Sequence, residues 1–385
     1  MIYGDYYWGG VVLKRVVNVY CEEKSCSKAL KNCFSKIEAE NGDAEPLFVV
    51  FTSDYESHAY YAKMLADKFT SAQIIGCSAS HILTKEGVLH VGLSIILIYS
   101  GIEVYSGIID DIKKNPMKSC GYISSILDSF SSYDNLICFE MTSAFLNCEE
   151  LVMDTFRNVL SPLKIPVFGC TAGTARMEKK TKVSLNGKVY DEACVFVMVK
   201  NLNGRIGLFL ENMFHPTDIS IKATDVDCDT RTVYEFNNKP AGEVLSQIIG
   251  VPEEKLIDHL LMNPLGRVVG DNIYLVQPFE MNEDKSITYV SRIYSQTRVV
   301  LCEYGDPHIF WKETAGRVKK DFDNISFSFV VNCISRSIFF ERTNIIDEFS
   351  AMLGENYGSY IGISGYGEQM DFEHLNQTMI VAVFE

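Results

Sequence analysis

Two short motifs near the C-terminus carry residue types suited to holding a small polar ligand. In Asn332-Cys333-Ile334-Ser335-Arg336 a thiol precedes a guanidinium by three positions. A guanidinium grips a carboxylate through two parallel hydrogen bonds, and its charge lowers the pKa of a thiol beside it. Cys333 would then react with electrophiles or oxidants. The structural alternative pairs Arg336 with Glu368 beside a buried thiol. In Gly365-Tyr366-Gly367-Glu368 an aromatic ring and an acid sit in a turn flanked by glycines. Such a mobile turn approaches a ligand closely, with Glu368 meeting an amino group and Tyr366 covering it. Asn376 and Thr378 come just before the last strand and can satisfy the same turn. A plain hairpin bend would use the two glycines equally well.

A second set lies in the first half. Cys77-Ser78 and Cys170-Thr171 each follow a glycine at the end of an apolar run. Backbone amides at a strand end point outward, and small hydroxyls there cap a carboxylate or amide. The competing reading is a tight turn in which glycine allows close approach and cysteine fills the core. No arrangement for catalysis stands out. Gly-x-Ser-x-Gly, the phosphate loop, Gly-x-Gly-x-x-Gly and His-Glu-x-x-His are all missing. A thiol hydrolase built from Cys333 and His374 is the one catalytic pairing the residues allow. The expectation is a protein that is not an enzyme.

These residues must be positioned by repeated elements. Leu47-Phe48-Val49-Val50-Phe51-Thr52-Ser53 and Leu136-Ile137-Cys138-Phe139-Glu140-Met141-Thr142-Ser143 are apolar runs ending in small hydroxyl residues. Each reads as a buried strand. Tyr61, Leu65 and Phe69 then recur at helical spacing, as do Val152, Phe156 and Leu160. Next come Ile74-Ile75-Gly76-Cys77-Ser78-Ala79 and Val167-Phe168-Gly169-Cys170-Thr171-Ala172, two strands ending in Gly-Cys-[Ser/Thr]-Ala. Hairpins follow, turned by Gly87 and by Asn186-Gly187. The closing strands are 93–99 and 194–200. The unit is strand, helix, strand, hairpin, strand, spanning about 45–100 and 134–200. The fold class is therefore α/β (mixed α+β): mixed sheets flanked by helices, with two units expected to pack about a pseudo-two-fold axis. The last third repeats the order weakly, with strands at 327–332, 360–365 and 379–384 and a helix at 345–353. We divide the chain into an N-terminal domain, 1–220, and a second α/β domain, 221–385.

Composition limits the partners. The 385 residues are 47% hydrophobic and 22% charged, as in globular proteins, with net charge −15. That charge disfavours nucleic acid and anionic membranes. The start, Met1-Ile2-Tyr3-Gly4-Asp5-Tyr6, lacks the pattern of a signal peptide. No apolar stretch approaches the roughly 20 residues that span a bilayer. A cytoplasmic location is expected, with the twelve cysteines reduced.

The duplicated Gly-Cys-[Ser/Thr]-Ala half resembles the N-terminal FIST domain. Lys239-Pro240-Ala241, Pro264-Leu265-Gly266, Asn332-Cys333-Ile334-Ser335-Arg336, Gly365-Tyr366-Gly367-Glu368 and His374-Leu375-Asn376-Gln377-Thr378 resemble the C-terminal FIST domain, in that order. The resemblance covers about residues 30–385. It implies an intracellular sensory module that binds a small ligand such as an amino acid. Bacterial relatives fuse the module to chemoreceptor, kinase or cyclase domains. This chain has no room for such a domain, so its signal would pass through a separate protein partner. Other members bind haem and respond to nitric oxide, or recruit proteins as scaffolds. For haem, His58, His81 and His374 are the candidate ligands here, although no Cys-x-x-Cys-His exists. No other cofactor is expected, and the oligomeric state is left open.

Overall fold

The computed structural model describes residues 6–8, 11–111, 118–175, 179–270 and 272–385. The opening residues Met1 to Asp5, read above against a signal peptide, lie outside them. Strands form where apolar, β-branched runs were read. Phe48–Ser53, Leu136–Thr142 and Phe327–Cys333 are buried at every position. Runs apolar on both faces need cover on both faces, and here helices cover one side while other sheets cover the second. The helices His58–Lys68 and Glu149–Leu160 bury Tyr61 with Leu65 and Val152 with Phe156, the stripes that their spacing predicted.

The strand order departs from a two-fold pair. Three six-stranded sheets are present, each built to one plan. In the first, Phe48–Ser53 runs parallel to Gln73–Ser78 and antiparallel to Leu93–Ile98, with Val16–Cys21 outermost. In the second, Leu136–Thr142, Val167–Thr171, Ala193–Asn201 and Ile102–Asp110 take these places. In the third they fall to Phe327–Cys333, Tyr360–Gly365, Thr378–Phe384 and Ile206–Asn212. The weak third repeat is therefore a full structural unit.

Each unit's hairpin leaves home. The first unit's His81–Thr84 pairs with Tyr360–Gly365 of the third. The second unit's Val183–Leu185 pairs with Gln73–Ser78 of the first. The third unit's Gly367–Met370 pairs with Val167–Thr171 of the second. This exchange is cyclic, so it closes only with three units. Its cause is local in the first and third units. Only Ala79-Ser80 separates Ser78 from His81, and only Tyr366 separates Gly365 from Gly367. Neither link offers the two left-handed residues that a tight return to the same sheet requires. Asn186-Gly187 does offer them, at φ 47° and 84°, and turns its hairpin as expected.

The three sheets enclose one core. Phe139 stacks on Phe168 at 4.6 Å and on Phe329 at 5.0 Å, which joins the second and third units. Cys77 and Cys170 face each other in this core with sulfur atoms 3.9 Å apart, and Ile363 occupies the matching register position of the third unit. An eight-stranded sheet with two helices, from Phe214 to Tyr304, is inserted in the third unit between its outer strand and the helix Pro307–Asp321. Among the described residues no helix is long and apolar enough to cross a membrane.

Candidate functional site

The inserted sheet docks over the strand ends of the second and third units, and a cavity of about 420 Å³ lies between them. Its floor comes from Ala144, which follows the strand Leu136–Thr142, and from Ile334 and Ser335, which open the helix Ile334–Arg342. The roof is Phe279 and Tyr289, on the inserted strands Pro278–Met281 and Ile287–Tyr289. Three rings make an aromatic wall. Phe145 meets Tyr366 edge-on at 5.2 Å and Phe279 at 5.8 Å. Lys179 places its ammonium 5.1 Å from the Phe279 centroid.

Phe145 holds φ at +63°, and Asn147 holds +51°. Asparagine tolerates this left-handed conformation, whereas a bulky aromatic adopts it only under constraint. The constraint is visible. The preceding strand is buried throughout, the amide of Ala144 donates to Thr181 Oγ1 at 2.9 Å, and the next helix begins at Glu149. The loop therefore turns sharply and presents the Phe145 ring to the cavity.

Charged groups surround these rings. Arg231 of the inserted sheet is buried and donates to Glu149 at 2.6 Å and to Glu150. Burial, the largest influence, would raise the Glu150 carboxyl, but the charges of Arg231 and His374 together with its hydrogen bonds outweigh it and hold the group below its usual value. At the exposed rim Arg342 lies 3.5 Å from Asp258, with Lys179 and Glu280 also 3.5 Å apart. Tyr289 keeps a buried hydroxyl without a hydrogen-bond partner among the described residues.

Of the nine residues read as ligand-binding, Tyr366 lines this cavity. Its hydroxyl lies 2.8 Å from Thr174 Oγ1, and its amide donates to the Thr171 carbonyl. Gly365 before it has no room for a side chain, because a Cβ would sit 2.1 Å from that same carbonyl. The Gly-Tyr-Gly-Glu segment is thus a buried crossing between two sheets, not a mobile turn.

The other eight lie in the packed interior. Glu368 is buried and accepts from the amide and hydroxyl of Thr378, at 3.1 and 2.7 Å. Burial pushes its carboxyl up to about 8. Cys333 is beside it, and burial followed by the Glu368 charge pushes the thiol up, opposite to the lowering expected from Arg336. Arg336 is itself fully buried and is held by Glu211 and by Asn332 at 2.9 Å, not by Glu368. Asn376 is buried with both amide atoms lacking a described partner. Ser78 Oγ accepts from the Lys182 amide, and Thr171 Oγ1 accepts from Gln369. Cys77 and Cys170 form the sulfur contact in the core.

The three histidines named for haem are also placed. His58 is buried between Ser53 at 2.9 Å and Ser184 at 3.0 Å, and burial pulls its pKa down to about 3. His374 contacts Gln369 and the Val290 carbonyl with its two ring nitrogens. His81 lies elsewhere, against Glu341. Sequence reasoning missed Phe145, Phe279, Arg231 and Arg342. For Phe145 a signal existed, an aromatic directly after the small residues of a strand end. Phe279 and Arg231 gave none, because they belong to the insert that interrupts the repeat, and Arg342 gave none, because it closes the helix Ile334–Arg342 outside any motif.

Two family patterns match the chain. The FIST N domain pattern matches residues 46–239, and the FIST C domain pattern matches residues 241–371. No curated protein matches the chain. One solved structure, described as "Cyanuric acid hydrolase: evolutionary innovation by structural concatenation", is similar over 96% of this chain and 98% of its own. It shares 8% identity with a TM-score of 0.37.

Proposed function

Because the chain belongs to the FIST family, whose domains are sensory, we propose that it is a small-ligand sensor, not an enzyme, and that its ligand enters the cavity under the inserted sheet. The observation carrying this reading is the aromatic wall at that cavity, with Phe145 held in a left-handed conformation to complete it. A volume of about 420 Å³ suits a small organic molecule. Apolar rings beside rim charges of both signs suit a zwitterion with an apolar side chain, such as an amino acid. Lys179 and Arg342 would meet the carboxylate, and Asp258 or Glu280 the ammonium.

The cavity is shared between the insert and the three-unit body. A ligand that contacts both favours their closed arrangement, and the sensing event is that shift. The output would pass to a separate signalling protein in the cytoplasm. Native and denaturing mass spectra of freshly purified protein test this reading. A small mass released on denaturation, and lost in Phe145→Ala, is the expected result. Bare wild-type protein that no amino acid stabilises against heat would refute it.

A further inference from the structure

Away from the cavity, three side chains from distant parts of the chain converge. His81 opens the first unit's exchanged hairpin, His90 follows that hairpin, and Glu341 is on the helix Ile334–Arg342 of the third unit. Glu341 Oε1 lies 3.2 Å from His81 Nε2 and 3.4 Å from His90 Nε2, and the three atoms fall within 4.8 Å of one another. Ligands about 2.0–2.1 Å from a tetrahedral zinc ion stand roughly 3.3–3.4 Å apart, so two of the three separations already suit a metal. The third closes by rotation of His90, whose side chain is 49% exposed.

Hydrogen bonds behind the three side chains are also in place. The Ser80 hydroxyl donates to the Ser364 carbonyl at 2.8 Å, so at 3.1 Å it accepts from His81 Nδ1. That hydrogen bond selects the tautomer with the proton on Nδ1 and turns the Nε2 lone pair towards Glu341. A lone pair and a carboxylate oxygen at this distance are complementary to a cation between them. Ser364 Oγ lies 2.9 Å from Ser337 Oγ, one helical turn before Glu341, so one hydroxyl network backs both sides of the cluster. His90 also lines a surface cavity of about 350 Å³, which gives an ion an approach path.

We propose that His81, His90 and Glu341 bind one divalent first-row transition cation, with zinc the best match. Two imidazoles and one carboxylate are a borderline donor set suited to such ions, and three protein ligands leave a coordination position open to water or a small molecule. The ion would tie the first unit's hairpin to the helix whose Ile338 and Arg342 line the ligand cavity.

The test is titration of chelator-treated full-length protein with Co²⁺, read by its visible d–d bands, and with Zn²⁺ by calorimetry. His90→Gln and Glu341→Gln alter partly exposed side chains, and circular dichroism checks their folding. The expected result is one equivalent bound, with affinity reduced at least about 10-fold in each variant, and roughly 10-fold in Ser80→Ala. No binding up to millimolar metal, or binding that persists unchanged in either His90→Gln or Glu341→Gln, overturns the proposal.

Discussion

Phe145 and Tyr366 meet edge to face with ring centroids 5.2 Å apart, although 221 positions separate them in sequence. Phe145 is set by a strained loop after a strand of the second unit, and Tyr366 by the crossing that links two sheets. Tyr366→Phe keeps this ring contact but removes the hydroxyl beside Thr174. The expected effect is a loss of about 1 kcal/mol in stability, the usual size for one such hydrogen bond, and only a small change in ligand affinity. Denaturant melts alongside titrations check both. A large affinity loss would mean that the hydroxyl itself contacts ligand.

Arg231 joins the inserted sheet to the second unit through two carboxylates. Arg231→Ala would strand Glu149 and Glu150 without their cation. Breaking a buried pair in this way costs about 3–5 kcal/mol. Hydrogen exchange should then rise in both the insert and the helix Glu149–Leu160. An unchanged melting temperature would contradict the placement of this ion pair.

Glu140 is a buried acid in the second unit, with Thr142 and Cys194 as hydrogen-bond donors and burial pushing its carboxyl up to about 8. The folded state therefore holds a proton that the unfolded chain releases near pH 4.5. Its contribution to stability is fully present below pH 4.5 and is lost as pH rises towards 8. Unfolding free energies of wild type and Glu140→Gln, measured from pH 5 to pH 9, should diverge in favour of the variant, by up to about 1.4 kcal/mol per pH unit in this window. Parallel curves would contradict it.

Cys333 should be inert in the native protein. Its sulfur is buried and its pKa is raised, so little thiolate exists to react. Brief iodoacetamide treatment followed by peptide mapping should label the partly exposed Cys21 and Cys26 and leave Cys333 unmodified until denaturant is added. Native labelling of Cys333 would restore the reactive reading that its neighbour Arg336 first suggested.

Much of the fold was legible because the repeat is written in local chemistry. Gly-Cys-[Ser/Thr]-Ala marks two strand ends, and Asn186-Gly187 marks a turn that few other pairs can make. The hairpin exchange was not legible. Val183 alternates with its neighbours in the same way whichever sheet receives it, so only the length of a link such as Ala79-Ser80 hints at the crossing. The third unit was blurred because Ile363 replaces cysteine and the insert from Phe214 to Tyr304 breaks its period. The cavity was hidden for the same reason, since Phe279 and Arg231 belong to the insert. Arg336 and Glu368 were noticed for their charge, yet each serves the interior, where burial and Glu211 or Thr378 define its role.

Calorimetric titration of the full chain with the twenty amino acids asks whether the aromatic cavity takes a small zwitterion. Wild type, Phe145→Ala and Phe279→Ala would be compared. The expected result is one-to-one binding of at least one apolar or aromatic amino acid, weakened about 10-fold or more in both variants, consistent with loss of roughly 1.4 kcal/mol of ring contact. Failure of every amino acid to bind, or binding that both variants retain at full strength, would contradict it.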